Sequence, residues 1–312
     1  MSKKLSKLVN YILHPSSFIK RCKIKQLEKH AFEMDDKTYL EKLFKIRVGY
    51  DLNLDNPQGI NEKIQWLKLN DLNPEHCIKA DKYLVRDYVK KTVGDKYLVP
   101  LYGVWDKFDD IDFLKLPNKF VLKCNHNSGS GMIVCNNKEQ LDLGRCRKII
   151  TNSLNENYFF HTREFVYKNI KRKIICEKYL EPSNGKLDDY KFWIINGKFR
   201  LLMICVDRDK EVKMNFYDEE LNLLKLSRGH KNFKQKYIFP DNILEMIEVS
   251  ERLAGNDVFV RVDLYNVDGK IYFGELTFFP GAGLEAFKPE EYDFIIGNML
   301  NLEGIKKKIW NY

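Results

Sequence analysis

The residues best suited to chemistry lie near the end of the chain, in "VFVRVDLYNVDGKIYFGELTFF" (258–279). Strand alternation places Phe259, Arg261, Asp263 and Tyr265 on one face, and Ile271, Phe273, Glu275 and Thr277 on one face of the returning strand. The connection decides whether the two sets meet. A two-residue Asp268-Gly269 turn would pair Asp263 with Gly274 and turn Glu275 away, whereas a three-residue Val267-Asp268-Gly269 loop pairs Arg261 with Glu275 and makes Asp263 its diagonal neighbour. Two carboxylates and an arginine on one buried face need a partner. Magnesium bridging nucleotide phosphates is such a partner, since it takes one or two carboxylates plus phosphate oxygens and water. The alternative is a salt-bridge network on a solvated sheet.

Earlier, "KCNHNSGSG" (123–131) has the small residues of a phosphate loop, but its lysine precedes the glycines, the reverse of a Walker A loop. Lys123 ends an apolar run, and Ser128, Gly129, Ser130 and Gly131 offer backbone N–H groups that can curl around phosphate oxygens. A polar hairpin tip has the same signature. In "ICEKYLEP" (175–182), Glu177, Lys178, Tyr179 and Leu180 could present backbone to a base edge, with Glu181 near a ribose, and "DDYKFW" (188–193) adds Lys191 on a strand. His126 reads as a loop contact rather than a general base, and no Ser, Cys or His nucleophile constellation is present. "FDDIDF" holds Asp110-Ile111-Asp112, a D-x-D match that would suit a glycosyltransferase and that also fits a solvated turn.

The elements that must carry these residues change in character along the chain. Residues 36–100 are helical: Ile60, Ile64, Trp66, Leu67 and Leu69 share one broad side, and "HCIKADKYLVRDYVKKTVG" reads as one helix ending at Gly94. Short strands are expected over 119–124 and 132–135, then helix over 138–170. Strands at 173–180, 189–196, 198–206, 258–267 and 270–279 follow, with a helix over 241–255 and a basic loop, "SRGHKNFKQKY", before it. Asn196-Gly197 is a two-residue hairpin signal. Strands paired through hairpins favour α+β with antiparallel sheets.

Composition narrows the class further. A 44% hydrophobic and 31% charged chain of 312 residues is an ordinary globular sequence with room for two or three subdomains. Seven cysteines without C-x-x-C or histidine spacing suit a reducing compartment and argue against disulfides or zinc; Cys124, Cys176 and Cys205 read as core. The net charge is +9, and residues 1–30 hold eight Lys/Arg against Glu28 alone. There Leu5, Leu8, Val9, Ile12 and Leu13 recur at helical spacing, which suits a helix docked on the domain or a hold on an anionic membrane surface, not a signal peptide or a span. No nucleic-acid motif accompanies the charge.

The order and spacing of "NPQGINEKIQWLKL", "ADKYLVRDYV", the 97–131 stretch, "DYKFWIINGK" and "VRVDLYNVDGKIYFGELTFFPGAG" resemble the ATP-grasp superfamily, and closely its TupA-like branch, named from teichuronopeptide biosynthesis. The resemblance covers about residues 36–300. It implies an α+β fold in which two subdomains with antiparallel sheets clasp ATP behind a helical N-terminal region. The bounds are 1–35 for a basic segment, 36–100 helical, 101–180 for the small subdomain and 181–312 for the large one. Cofactors would be ATP and Mg2+. Lys82, Lys123 and Lys191 would reach phosphates, Glu177 to Leu180 would hold adenine and Glu181 the ribose. Asp263 and Glu275 would hold Mg2+, with Thr277 where the superfamily has asparagine, and Arg261 would neutralise a reacting carbonyl. The implied reaction is carboxylate–amine ligation on a bacterial surface glycan or a small molecule, in the cytoplasm or at the inner membrane face, with acceptor contacts near 183–188, 207–215 and 280–288.

Overall fold

The computed structural model describes residues 15–126, 131–208 and 210–305, so the expected amphipathic pattern of Leu5 to Leu13 lies outside the described residues. The chain begins with helices α1 (Pro15–Lys29), α2 (Asp36–Arg47), α3 (Ile60–Asn70), α4 (Pro74–Ala80) and α5 (Val85–Thr92). Strand β1 (Leu101–Trp105) is followed by β2 (Phe120–Cys124), β3 (Met132–Cys135), α6 (Leu143–Asn155), a single turn α7 (Phe159–Thr162) and β4 (Ile174–Lys178). Then come β5 (Asp189–Ile195), β6 (Lys198–Val206), β7 (Lys213–Tyr217), β8 (Leu223–Leu224) and β9 (Ser227–Arg228). Helix α8 (Ile243–Ala254), β10 (Phe259–Val267), β11 (Lys270–Thr277), β12 (Phe287–Lys288) and α9 (Glu291–Met299) complete the order.

All strand pairing within the three sheets is antiparallel: β1-β4-β2-β3, β11-β10-β5-β6-β7-β8 and β12-β9. Alternation gives each main sheet one apolar face. In the first, Phe120, Leu122 and Cys124 are buried with Cys146 and Ile150 of α6. In the second, Val260, Val262 and Leu264 bury with Phe192 and Ile194, covered by Met246, Val249 and Leu253 at i, i+3, i+7 of α8. The opposite faces, freed from the core, carry Lys123 on the first sheet and Arg261, Asp263 and Lys191 on the second.

The helical layer joins the two. Asp35 caps α2 by accepting from Thr38 N (2.9 Å) and Asn73 caps α4 ahead of Pro74. Helix α3 is buried on more than its apolar side: Asn61, Gln65 and Lys68 are 2% exposed or less. Their polar ends are satisfied by the loop after β11, with Gln65 Nε2 donating to Ala282 O (2.9 Å) and Gly283 O (2.8 Å), and Lys68 Nζ to Ala282 O (2.7 Å). Ile24 and Leu27 seat α1 against Tyr39, Leu43 and Phe44 of α2 and against Ala282 and Leu284, while Phe18 and Ile19 stay exposed.

Several expectations need correction. The expected single helix through 76–94 is two, because Asp81 ends the first and its Oδ1 accepts from Tyr83 N (2.7 Å) and Leu84 N (3.2 Å). The 138–170 stretch is α-helical only at 143–155 and 159–162, with 3-10 turns at 138–140 and 165–167. Strands β1, β8, β9 and β12 were not legible, and β7 crosses the expected 207–215 loop, pairing Leu202 with Tyr217. The basic stretch from 227 starts with Arg228 buried at 3%, between the rings of Trp193 (5.3 Å) and Phe287 (5.0 Å). The 196–197 hairpin forms with Ile195 opposite Lys198, and Cys124, Cys176 and Cys205 are buried free thiols.

Candidate active site

The β10–β11 hairpin closes through the two-residue turn, not the three-residue loop. Val267 pairs with Lys270, and both Asp268 and Gly269 have positive φ (50° and 85°), the two-residue geometry that Asp-Gly favours. That turn alone would set Asp263 against Gly274. Instead the register shifts between Asp263 and Leu264: Leu264 pairs with Phe273, Asp263 with Glu275 and Arg261 with Thr277. Gly274 is the extra residue of a β-bulge, which re-aims Glu275 onto the Asp263 face. Glycine suits this position, since a Cβ would lie 3.0 Å from Asp263 O and 3.2 Å from the Tyr265 ring, closer than ordinary van der Waals contact.

Around this pair the cations converge. Arg261 grips Asp263 with two bonds (Nε to Oδ1 2.6 Å, Nη2 to Oδ2 2.8 Å) and reaches Glu275 (3.4 Å) and Thr277 Oγ1 (3.0 Å). Lys191, paired in register with Asp263 on β5, contacts both Asp263 and Asp189 (3.5 Å), and Arg208 also meets Asp189. Lys82, in the break between α4 and α5, reaches Glu275 at 3.2 Å. Burial alone would push the Glu275 carboxyl up, but Lys82, Lys191 and Arg261 together hold it well below the usual carboxylate range. Burial likewise opposes the Arg261 charge, and the Asp263 carboxylate outweighs it and raises the guanidinium further. For Lys191, burial is overcome by Asp189 and Asp263, so its pKa rises.

Lys123 belongs to a second ion cluster on the first sheet. Alternation puts it on the face of Val121, which pairs with Glu177, and its Nζ meets Glu177 at 2.6 Å. Arg86, one turn after Lys82, binds the same carboxylate at 3.3 Å. Buried Asn125 ties the clusters together. Its carbonyl accepts from Lys82 N (3.1 Å), and its amide donates to Asp81 Oδ2 (2.9 Å) and Lys171 O (3.0 Å).

The other expected residues are placed less centrally. Ser128, Gly129 and Ser130 lie outside the described residues; Gly131 takes a left-handed φ of 66° and its carbonyl accepts from Cys124 N. His126 is buried at the loop base against Ser153 O (3.1 Å), and burial, with Arg172, lowers its pKa and keeps it neutral. Lys178 is exposed, Tyr179 half-buried and Leu180 packed with Val99 and Tyr272. Glu181 is exposed and salt-bridged to Lys119 (2.6 Å), apart from both clusters. Asp110 and Asp112 flank buried Ile111, and Asp112 caps Leu114 N (3.1 Å) and pairs with Lys115 (3.2 Å), a structural role.

Sequence reasoning missed Asp189, Arg86 and Arg208. Asp189 could have been found, since it sits two residues before Lys191 on one strand face. It also missed Glu164, which is buried and accepts from Thr162 Oγ1 (2.6 Å); burial raises its pKa against the opposing charges of Lys68 and Arg261.

The donor set fits magnesium. Asp263 and Glu275 are facing carboxylates with the Thr277 hydroxyl beside them (3.4 Å to Glu275). Among the described residues no group of three or more His, Cys, Asp or Glu forms a metal cage, so a cation held here needs further oxygens, as phosphates supply. Four cations (Arg261, Lys82, Lys191, Arg208) meet three carboxylates (Asp263, Glu275, Asp189) at the centre, with buried Glu164 nearby.

Residues 62–301 match the family model described as TupA-like ATPgrasp. No curated protein matches the chain. Similar solved structures include a D-alanine–D-alanine ligase from Bacillus anthracis complexed with ATP (15% identity, TM-score 0.41, covering 72% of this chain and 63% of that one). Its Helicobacter pylori counterpart is 14% identical (TM-score 0.38, 72% and 61%). An L-amino acid ligase from Bacillus licheniformis is 14% identical (TM-score 0.44, 86% and 62%). The chain spans less than two thirds of the length of each of these ligases.

Proposed function

Because the chain belongs to the TupA-like ATP-grasp family, we propose that it is an ATP-dependent ligase that joins a carboxylate to an amine in the biosynthesis of a bacterial surface glycan. The observation that carries this reading is Asp263 opposite Glu275 with Arg261, Lys82 and Lys191 converging on them. An oxygen of the substrate carboxylate attacks the γ-phosphorus of ATP as the bond to the ADP oxygen breaks. The amine then attacks the acyl carbon, phosphate leaves with the acyl oxygen, and the amine loses a proton. Neither step needs a protein nucleophile, only in-line positioning and charge spreading.

The residues divide that work. Asp263, Glu275 and Thr277 would hold Mg2+, which when bound draws charge from the β- and γ-phosphate oxygens. Lys82 and Lys191, paired here with Glu275 and Asp263, would contact phosphate oxygens of the nucleotide. Lys123, with the 128–131 loop, holds phosphates from the first sheet, and backbone 177–180 and Glu181 hold the nucleoside. Arg261 is anchored through Asp263 and stabilises the oxyanion at the reacting carbonyl.

The test supplies candidate carboxylates, ATP, Mg2+ and hydroxylamine. Acyl hydroxamate and stoichiometric ADP are expected, and an Asp263→Ala/Glu275→Ala variant should produce neither. Unchanged turnover in that variant sinks the site.

A further inference from the structure

A cavity of 1080 Å³ opens between α1, the end of α2, residues 227–232 and residues 284–288. Its rim is cationic: Lys20, Arg21 and Lys25 come from α1, Arg47 ends α2, and Lys288 lies on β12. Lys231 adds a further charge beside Glu211 (2.9 Å). Glu28 and Glu285 are the carboxylates of the lining, and both have partners elsewhere, Glu28 with His161 (3.5 Å) and Glu285 with Arg228 (3.8 Å). The cavity therefore presents a positive field inside a concave wall, which concentrates anions.

Its size and lining narrow the occupant. At about 1080 Å³ the volume lies at the upper end of the ~300–1,000 Å³ of small-molecule pockets, which leaves room for an extended ligand. Among the described residues no Phe, Tyr or Trp lines it, so these supply none of the stacking platforms that single-stranded nucleic acids use. Ser227, His230 and Asn232 add hydrogen-bonding groups suited to hydroxyls. A recessed groove with charges on its rim suits a linear, hydroxyl-bearing polyanion more than a flat membrane surface.

The cavity is also built onto the candidate active site. Leu284 follows directly on Gly283, in the loop that leaves the Thr277 strand and is held by Gln65 and Lys68 of α3. Arg228 donates to Pro280 O (2.9 Å), fixing that loop to the 227–232 wall. Lys20, Arg21, Lys25 and Arg47 all precede residue 62, where the family match begins.

We propose that this cavity is the groove for an acidic oligosaccharide, the chain that carries one of the groups to be joined; the assignment rests on the ligase reading above. The probes are tetragalacturonate and neutral maltotetraose, titrated calorimetrically without ATP into the full chain. Tetragalacturonate is expected to bind, more weakly as salt rises, and maltotetraose not to. In a Lys25→Glu/Arg47→Glu variant the affinity falls by about tenfold or more, the scale of two lost charge-assisted contacts, while its nucleotide-dependent thermal shift matches wild type. Glu275→Ala keeps tetragalacturonate binding, so failure of the ligase reading and failure of the groove are separate results. Equal affinity in the charge-reversed variant, equal binding of maltotetraose, or binding of phosphatidylglycerol vesicles in place of tetragalacturonate overturns the proposal.

Discussion

At the scale of single residues, charges here are set by neighbours rather than by type. Glu275 keeps its negative charge because three cations face it. Its folded pKa is depressed, so its contribution to stability is full above the unfolded carboxylate range and is lost only as pH falls through the lower folded value. Lys68 is also lowered in pKa, but at the expense of its charge rather than in support of it. It is buried within hydrogen-bond reach of Gln65 Oε1 (3.0 Å), Thr162 O (2.8 Å) and Ala282 O (2.7 Å), and burial pushes its pKa down to about 8 although Glu164 opposes the shift. Above that value the unfolded chain, with a lysine near ~10.4, binds more protons than the folded one, so stability rises with pH. Subtracting the melting curves of Lys68→Met from those of wild type between neutral and alkaline pH should reveal this rising term. A flat difference would place the Lys68 pKa at its ordinary value.

At the scale of elements, the bulge is the device that assembles the site. The Asp-Gly turn favours one register and the chemistry favours another, and an extra residue at Gly274 reconciles them. Gly274→Ala is expected to crowd the Asp263 carbonyl, cost about 1–3 kcal/mol of stability and remove most Mg2+-dependent ATP turnover. Gly269→Ala, at a turn φ of 85° with nothing within 4 Å of the added Cβ, should cost about 1 kcal/mol and leave turnover in place. Denaturant melts and ADP release on both variants separate strain from misalignment; equal turnover in the two would show that the bulge does not aim Glu275. The α4–α5 break has a similar purpose, since a continuous helix would leave the Asp81 carboxylate no turn to cap and would carry Lys82 on a helical face.

At the scale of the molecule, two antiparallel sheets each bury one face and present ions on the other, with α3 and the 280–285 loop bracing them. Ligand bridging Lys123 and Asp263 should stiffen the whole. Mg2+ with ATP at about a hundredfold above its dissociation constant should stabilise the chain by about 2.7 kcal/mol, read as a higher melting temperature. Glu275→Gln should lose the Mg2+-dependent part of that shift; its persistence would remove Glu275 from the metal site. Among the described residues no helix is long and apolar enough to cross a membrane. The sequence by itself determined the strand faces, the Asn-Gly turn and the antiparallel α+β class, because alternation and turn chemistry are local, whereas the grouping of Lys82 and Lys191 with Arg261, Asp263 and Glu275 was implied by the family resemblance and the 267–269 turn was left open between two registers. The sequence did not reveal the bulge at Gly274, the split at Asp81, the polar burial of α3, or the pairing of Lys123 with Glu177 and Arg86. Those depend on which surfaces meet at long sequence separation, where packing and charge pairing overrule local preference, and only the tertiary structure decides that.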